Sequence, residues 1–427
     1  MRIAITNWTR RKVGGLETYI SELMPELHAA GYDLAFWSEL DQPADREQIP
    51  LPSGVPAWCV SDLGAECALT ALRDWHPDLI YSQGLLDPHL EARLLAIAPA
   101  VFCAHFYYGT CISGGKTFKF PVITPCNRQF GWRCVLHYYP HRCGGWSPVT
   151  MVREFNRQSE RLKLLRRYKA IVTPSDHMKS EYQKHGLAAK CLSPSLRNTS
   201  DSEGSHLVSE SAADATLLPI IELRKQRLPR EDRAVDYWHL LFLGRMDFLK
   251  GGRFFLEALP QVAASLDRAV HVTFAGDGPD RIAWERQAKQ INCRGLDIAF
   301  AGWVQGPQLE SLLADSDLLV VPSLWPEPMT RAGPEAGARG IPAAAFAVGG
   351  NPEWLRNGVN GYLAPGDPPT ACGLGEAIIK CLRDPAEHRR LCRGALRISQ
   401  QLTMTSHLAN LVEVFQRVAP CKQVQPG

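Results

Sequence analysis

The chain has 427 residues, more than one ordinary domain holds, so two domains are expected. Its 47 basic and 44 acidic residues leave a net charge of only +3, which argues against bulk binding to nucleic acid. No run of about 18 apolar residues is present, and the apolar stretch at the N-terminus is too short for a signal peptide. These observations predict a cytoplasmic protein.

The first half of the sequence alternates short apolar runs with segments of helical periodicity. Helices are predicted at Glu17–Ala30, Glu91–Ile97 and Met178–His185. The strands predicted around them are Arg2–Thr6, Leu34–Trp37, Leu79–Ser82, Ala100–His105 and Ala170–Thr173. Such alternation indicates an α/β domain with a parallel, doubly wound sheet.

A second β/α series follows a polar stretch rich in Ser, Asp and Glu. We assign residues 1–195 to a first domain, 196–236 to a linker and 237–402 to a second domain. Residues 403–427 contain a predicted helix that is long enough to cross back to the first domain. The strands predicted for the second domain are Leu240–Gly244, Val270–Ala275, Ile298–Ala301, Leu318–Val321 and Ala343–Ala347.

The most informative pattern lies between Pro322 and Asp367. Glu327 comes just after a predicted buried strand, and Glu335 lies eight residues later, where a helix is expected to begin. A strand, a turn rich in Pro and Gly, and a helix N-terminus form an anion-binding geometry, because backbone N–H groups point at the ligand. Two carboxylates beside such a site suit a ligand that combines phosphates with hydroxyls, as a nucleotide-sugar does.

A cationic pattern follows the first strand of the second domain. Arg245 and Lys250 come directly after the predicted strand Leu240–Gly244. Arginine can hold a diphosphate through two parallel N–H bonds, and lysine adds a point charge. Stabilising the charge that grows on a leaving diphosphate would be the largest catalytic contribution.

These segments resemble the donor site of the family 4 (group 1) retaining glycosyltransferases, which have the GT-B fold. The family pattern P-S-x-x-E-P is matched around Glu327 with one residue more between the serine and the glutamate. The family's E-A eight residues after the first Glu and its later G-G are matched at Glu335 and Gly349. Gly244 to Gly251 fit the family's G-R-x-x-x-x-K-G. Met329 and Thr330 depart from the pattern, since the family usually has Phe-Gly there.

The resemblance implies two Rossmann-like domains that face each other across a cleft, with the acceptor side on the first and the nucleotide on the second. It implies that Glu327 holds donor-sugar hydroxyls and that Glu335 holds the nucleotide ribose. The catalytic residues it implies are Glu327, Arg245, Lys250 and His105. The donor-binding residues it implies are Gly14, Gly15, Gly244, Gly278, Met329, Thr330, Arg331 and Glu335.

Two other motifs indicate a dinucleotide site and a metal site only weakly. Gly276-Asp277-Gly278-Pro279 follows a strand, but Arg281 stands where a dinucleotide fingerprint needs its third glycine. Asp315-x-Asp317 has the spacing of a metal-binding pair, yet it lies between a helix end and a strand, where capping is the better interpretation. We expect no metal in the chemistry.

A cysteine-rich loop, residues 103–146, interrupts the first domain. Cys111, Cys126, Cys134 and Cys143 lie within about thirty residues of one another. A structural zinc ion or iron–sulfur cluster is one interpretation, although no C-x-x-C is present. Unpaired thiols and disulfides are the others.

The segment Arg153–Lys169 is strongly basic. It suits either a solvated helix face or peripheral contact with an anionic membrane, at the inner face of which a lipid-linked acceptor would be met.

We interpret the chain as a metal-independent hexosyltransferase that needs no cofactor. It would use a UDP-, GDP- or ADP-sugar and a glycan, lipid-linked or other acceptor, in surface polysaccharide or glycoconjugate biosynthesis. Two alternatives stay open: a non-catalytic partner subunit that binds a sugar nucleotide, and a nucleotide-sugar epimerase of GT-B type. The sequence does not identify the sugar, base, acceptor or linkage.

Overall fold

The computed structural model describes residues 1–191, 237–402 and 404–419. The described residues form two compact units. The first contains residues 1–121, 126–191 and 404–419, and the second contains 122–125 and 237–402. The predicted linker at 196–236 lies outside the described residues.

The first unit is built on a parallel sheet of seven strands in the order β3-β2-β1-β4-β5-β8-β9. Residues of β1 pair in register with two neighbours, so that Ile3 lies opposite Leu34 on one side and Leu79 on the other. The strands are β1 Arg2–Thr9, β2 Asp33–Leu40, β3 Ala57–Cys59, β4 Leu79–Ser82, β5 Ala100–Cys103, β8 Ala170–Thr173 and β9 Ala189–Cys191; the short strands β6 Thr117–Phe118 and β7 Thr124–Pro125 lie in the cysteine-rich loop.

Helices connect the parallel strands, as parallel pairing requires. Several begin at a side-chain cap, for example Ser147 before α6 and Ser175 before α7. The helices of the first unit are α1 Gly15–Ala29, α2 Val60–Leu63, α3 Ala65–Asp74, α4 Pro88–Leu94, α5 Arg133–Tyr138, α6 Pro148–Leu165, α7 Asp176–Gln183 and the C-terminal helix, here numbered α15, Met404–Val418.

The second unit has a parallel six-stranded sheet in the order β12-β11-β10-β13-β14-β15. Its strands are β10 Tyr237–Leu243, β11 Ala269–Ala275, β12 Leu296–Gly302, β13 Leu318–Val321, β14 Ala343–Phe346 and β15 Gly361–Ala364. Its helices are a 3-10 turn at Phe248–Lys250 and α8 Gly252–Ser265, α9 Arg281–Gln290, α10 Pro307–Asp315, α11 Ala332–Gly337, α12 Asn351–Trp354, α13 Ala371–Leu382 and α14 Pro385–Ser399.

All ten predicted strands are present, with ends that differ by a few residues. Five strands were not suggested by the sequence. β3, β9 and β15 lie at sheet edges and contain three or four residues, and β6 and β7 contain two residues each. Such short runs are too brief to show a period of two.

The C-terminal helix α15 completes the core of the first unit. Its Leu411, Val414 and Phe415 are buried against residues of β1, α1 and β4. The ring of Phe415 meets that of Tyr81 edge-on, with 5.1 Å between the centroids. Within the described residues, no helix is long and apolar enough to cross a membrane.

Replacing Phe415 with alanine should destabilise the first unit. The side chain is fully buried, so its removal leaves a cavity and should lower the free energy of unfolding by about 3–5 kcal/mol. Equilibrium denaturation in urea measures this loss. Phe248→Ala is the matched control, because Phe248 is 39% exposed and its truncation should have little effect. Equal losses in both variants would contradict the packing of α15 into this core.

Candidate functional site

The centre of the candidate site is an ion pair between two loops of the second unit. Lys250 lies at the end of the 3-10 turn after β10, and Glu327 lies in the loop after β13. The Nζ atom of Lys250 lies 2.7 Å from Oε1 of Glu327. Since neighbouring parallel strands end at the same sheet edge, the pair lies where α/β sheets bind ligands.

Two hydroxyl groups complete the surroundings of the Glu327 carboxylate. Ser323 donates to Oε1, and Thr330 lies 3.0 Å from Oε2. The Thr330 hydroxyl also lies 2.9 Å from Oδ1 of Asn351, a fully buried residue whose side-chain nitrogen donates to the carbonyl of Phe346. The carboxylate is therefore held directly by side chains from two loops, and Thr330 connects it to Asn351 on a third.

Glu327 is ionised although it is only 4% exposed. Burial by itself would raise its pKa. The positive charge of Lys250 and the hydrogen bonds from Lys250, Ser323 and Thr330 outweigh that effect and hold the pKa below its ordinary value. A carboxylate that is charged and held in one orientation can accept hydrogen bonds from sugar hydroxyls.

Close backbone contacts at two glycines bring these loops together. Gly251 has φ +69°, and a Cβ atom there would lie 1.8 Å from the carbonyl oxygen of Pro322. Gly349 has φ +57°, and a Cβ atom there would lie 2.4 Å from the carbonyl oxygen of Glu327. Any side chain at either position would push the loop of Lys250 or of Asn351 away from Glu327.

The predicted phosphate-binding side lies beside this pair. The side chain of Arg245 is 70% exposed, and its only ion-pair contact within the described residues is 3.8 Å from Asp247. Gly244 and Gly278 lie in the adjoining turns, where the backbone N–H of Met246 donates to the carbonyl of Asp277. The N–H of Gly278 itself donates to the Asp277 side chain.

Glu335 lies one helical turn beyond Thr330, in α11. Its Oε1 accepts from Nη2 of Arg331 at 2.9 Å and from Nε at 3.2 Å. About one-third of the Glu335 side chain is exposed, in contrast to Glu327. Met329 is half-buried in the same loop. Glu335 and Arg331 thus form a pair that solvent or a ligand can reach.

In the first unit, the predicted Gly14-Gly15 loop is closed by a buried glutamate. The N–H of Gly14 donates to Oε2 of Glu17 at 2.9 Å, and Trp8 donates to Oε1 of the same side chain. Gly14 has φ −168°, an extended conformation that any residue adopts. The amide of Gly14 is therefore already bonded within the loop, which the Gly-Gly pattern did not reveal.

His105 follows β5 and contacts two side chains of the first unit. Its Nε2 lies 2.8 Å from Oε1 of Gln83, and its ring lies 5.2 Å from that of Tyr19. The Tyr19 hydroxyl lies 2.8 Å from Nε2 of His407 in α15. Burial lowers the pKa of His407 to about 4, so this histidine is neutral near pH 7.

The four cysteines of the loop at 103–146 are unpaired thiols. Burial, with a smaller contribution from neighbouring thiols, raises the pKa of Cys126 and Cys134. The same two causes raise the pKa of Cys143 to about 12. Within the described residues, no three His, Cys, Asp or Glu side chains are arranged to hold a metal ion. The zinc or iron–sulfur interpretation, which included Cys111, thus has no geometric support.

Asp315 and Asp317 both contact His239 of β10. The Asp317 side chain accepts from the N–H of His239, and the Asp315 carbonyl lies 3.0 Å from Nδ1 of the same histidine.

The structure brings Lys250, Glu327 and Thr330 into direct contact. Sequence reasoning did not identify Ser323 or Asn351 as partners of this group, nor Gln83 as the partner of His105. Ser323 belongs to the quoted Pro-Ser pair and Asn351 directly follows Gly349-Gly350, so position within a motif was the available signal.

Comparison with known families covers both units. Residues 13–192 match the family model described as Glycosyltransferase Family 4. Residues 238–384 match the one described as Glycosyl transferases group 1. The chain is of the group 1/family 4 glycosyltransferase type.

Characterised and uncharacterised relatives share part of this sequence. An uncharacterised glycosyltransferase of Methanocaldococcus jannaschii is 33% identical over 131 residues, which are 30% of this chain and 32% of the relative. D-inositol 3-phosphate glycosyltransferase 1 of Catenulispora acidiphila is 30% identical over 200 residues, 45% of this chain and 47% of the relative. The aligned regions thus span about a third to a half of these relatives.

A solved structure extends the likeness to the whole fold. The Anabaena protein HepE, crystallised with UDP and glucose, has a TM-score of 0.63 and 18% identity. The alignment covers 97% of this chain and 99% of HepE. Together with the two parallel sheets, this likeness shows the GT-B fold that the sequence predicted.

The ion pair gives a pH-dependent prediction for the stability of the second unit. Glu327→Gln should lower the free energy of unfolding of the second unit by about 1–3 kcal/mol at pH 7, because Lys250 loses its charged partner. The pKa of Glu327 lies below its ordinary value of 4.5. The carboxylate's contribution is therefore fully present above about pH 4.5 and is lost as the pH falls through the lower folded-state pKa.

Urea denaturation of both proteins across this pH range measures the effect. The gap between wild type and Glu327→Gln should shrink below pH 4.5. Glu335→Gln serves as control, since a partly exposed pair at helical spacing contributes only about 0.3–0.5 kcal/mol. A gap that does not change with pH would contradict an ionised, paired Glu327.

Proposed function

We propose that the protein is a retaining glycosyltransferase that moves a hexose from a nucleotide-sugar to a glycan, lipid-linked or other acceptor. The reaction would serve surface polysaccharide or glycoconjugate biosynthesis at the cytoplasmic face of a membrane. The observation that carries the proposal is the buried, ionised Glu327 and its ion pair with Lys250, which follows the exposed Arg245 in the same loop after β10. This arrangement supplies an acceptor for sugar hydroxyls and cations for a diphosphate.

The diphosphate would be held chiefly by Arg245. Its guanidinium is exposed and can form two parallel bonds to phosphate oxygens. Lys250 would add positive charge from beside Glu327. The charge that develops on the leaving diphosphate is thus stabilised by groups already in place, which avoids reorganisation during the reaction.

The two glutamates suit different parts of the donor. Glu327 is enclosed by fixed hydrogen-bond donors, so it can orient the sugar in one way only. Glu335 is more exposed and lies on the other side of the Thr330 turn, so ribose hydroxyls can reach it. UDP, GDP and ADP share a ribose and a diphosphate, and these contacts therefore leave the base undetermined.

Retention of configuration would follow from attack on the face from which the diphosphate leaves. The bond between the sugar C1 and the phosphate oxygen breaks, and the bond from C1 to the acceptor oxygen forms on the same face. The acceptor proton passes to the departing diphosphate. His105 would lie beside the sugar, and Gln83 at 2.8 Å would set the orientation of its ring. No metal is needed in this scheme.

The two alternatives have less in their favour. Thr330, the residue that suggested a non-catalytic subunit, takes part in the hydrogen bonds around Glu327 instead of disrupting them. An epimerase would need acid and base groups on both sides of the sugar, and the contacts around Glu327 identify none.

A calorimetric panel of UDP, GDP and ADP, each with its common sugars, tests the donor site. We expect selective binding of one nucleotide-sugar and a loss of affinity of about tenfold or more in Glu335→Gln, since ribose hydroxyls lose a charged acceptor. Arg294→Gln, an exposed arginine outside the site, should bind as the wild type does.

Turnover with the donor so identified then tests the chemistry. The anomeric configuration of the product, read by NMR, should match that of the donor. Absence of binding in a folded protein would overturn the proposal and favour a degenerate subunit. An inverted product would overturn the retaining mechanism alone.

Thr330 gives a second test. Thr330→Val keeps the shape but removes the hydroxyl, so Glu327 loses a donor and kcat should fall by about tenfold with a smaller change in KM. Thr330→Ser keeps the hydroxyl and should retain most of kcat. Steady-state kinetics of the two variants measures kcat and KM. Equal kcat values in the valine and serine variants would show that the hydroxyl does not position Glu327.

A further inference from the structure

The cysteine-rich loop and the start of α6 expose an unusual number of large apolar side chains. These side chains are between 51% and 76% exposed and belong to Trp132, Leu136, Trp146, Val149 and Val152, which we call the apolar patch. Scattered exposed apolar residues are ordinary, but five large ones within one short stretch of the chain indicate an interaction surface.

The patch belongs to one small packed body. Trp132 and Leu136 are one turn apart at α5, and Val149 and Val152 are nearly one turn apart on α6. The inward faces of these helices pack together around Phe130, Tyr138 and Met151. The helices thus bury one apolar face among themselves and leave a second one outward, which folding of the loop does not explain.

Trp146 connects the two helices at the surface. Its ring is stacked on that of Tyr139, at 6.2 Å between centroids and 15° between planes. The guanidinium of Arg142 lies 5.9 Å from the Trp146 ring, and that of Arg133 lies 5.7 Å from the Trp132 ring. Both exposed tryptophans therefore carry a cation beside them.

The charge around the patch has one sign. Residues 106–153 contain six lysines and arginines and no aspartate or glutamate, although the whole chain is nearly balanced at 47 to 44. Only Lys116 among the six is buried, in an ion pair with Glu181. Lys119 is half-buried, and the exposed cations are Arg128, Arg133, Arg142 and Arg153. An apolar surface with such a rim is complementary to an anionic surface, and it would repel a second copy of itself.

The basic segment Arg153–Lys169 does not supply such a surface along its length. Arg157 is paired with Glu154, Lys163 is paired with Glu160, and Arg161 is buried with its guanidinium on the carbonyl of Leu85. Near Val149 and Val152, Arg153 lies 3.9 Å from Glu154, the carboxylate that Arg157 also contacts, so the N-terminal part of α6 has one positive charge in excess.

We propose that the apolar patch inserts into the interfacial layer of an anionic phospholipid bilayer. Tryptophan side chains favour the region between head groups and acyl chains, and arginines beside them can meet lipid phosphates. The proposal goes beyond the sugar transfer and does not depend on it, because binding to lipid needs neither donor nor acceptor.

Flotation of the full chain with lipid vesicles tests the proposal. We expect binding to vesicles of phosphatidylcholine with about 40% phosphatidylglycerol, weak binding to phosphatidylcholine alone, and a decrease at high salt. Trp132→Ser combined with Trp146→Ser should weaken binding by about tenfold or more, because two large apolar groups no longer enter the bilayer.

Matched variants separate the patch from general effects. Trp303→Ser removes a tryptophan that is 47% exposed in the second unit and should not change vesicle binding. Arg133→Glu with Arg153→Glu should abolish the preference for anionic lipid, whereas Arg294→Glu should not. Thermal unfolding should be unchanged in all variants, since each substituted side chain is exposed.

Three outcomes would overturn the proposal. They are no binding to anionic vesicles, equal binding by the double tryptophan variant and the wild type, and a dimer in solution that the same double variant dissociates. The last result would identify a second copy of the chain as the occupant of the patch.

Discussion

The ion pair between Lys250 and Glu327 is the interaction on which the candidate donor site depends. A buried carboxylate is costly unless several donors compensate for the lost water. Here the compensation comes from one lysine and two hydroxyls, all on loops that follow neighbouring strands of one sheet. The carboxylate is compensated only when these loops are all in place. The geometry of the site therefore depends on the correct folding of this edge of the sheet.

Thr330 shows how a departure from a family pattern can fit the same geometry. Its hydroxyl has one hydrogen but lies within bonding distance of two acceptors, 3.0 Å from Glu327 and 2.9 Å from Asn351. If the hydrogen turns to Asn351, Oε2 of Glu327 can accept a sugar hydroxyl in its place. A glycine at this position has no hydroxyl, so the threonine adds a hydrogen-bond donor between Glu327 and Asn351.

The fold could be predicted from the sequence because its central strands are continuous apolar runs between helix-period segments. The proximity of Lys250 and Glu327 could also be predicted, since both residues lie in motifs that follow predicted strands. The hydrogen bonds of Ser323 and Asn351 could not be predicted, because a hydrogen bond between loop residues depends on where the backbone turns. The sequence also gave no sign that the Gly14 amide, in a loop expected to bind the donor, donates to the buried Glu17 side chain.

The distribution of charge also separates groups that hold the structure from groups that can bind a ligand. The charge of Lys250 is largely neutralised by Glu327. Lys250 would therefore attract an incoming diphosphate less strongly than its position in the motif suggests. Arg245 is exposed and has only a distant carboxylate neighbour, so it can offer a nearly undivided charge. The first unit also contains cations of both kinds. Lys116 is buried in an ion pair with Glu181, whereas Arg133 and Arg142 lie over exposed tryptophans. In both units, a cation's capacity to bind a partner follows from what it already contacts and not from the motif that contains it.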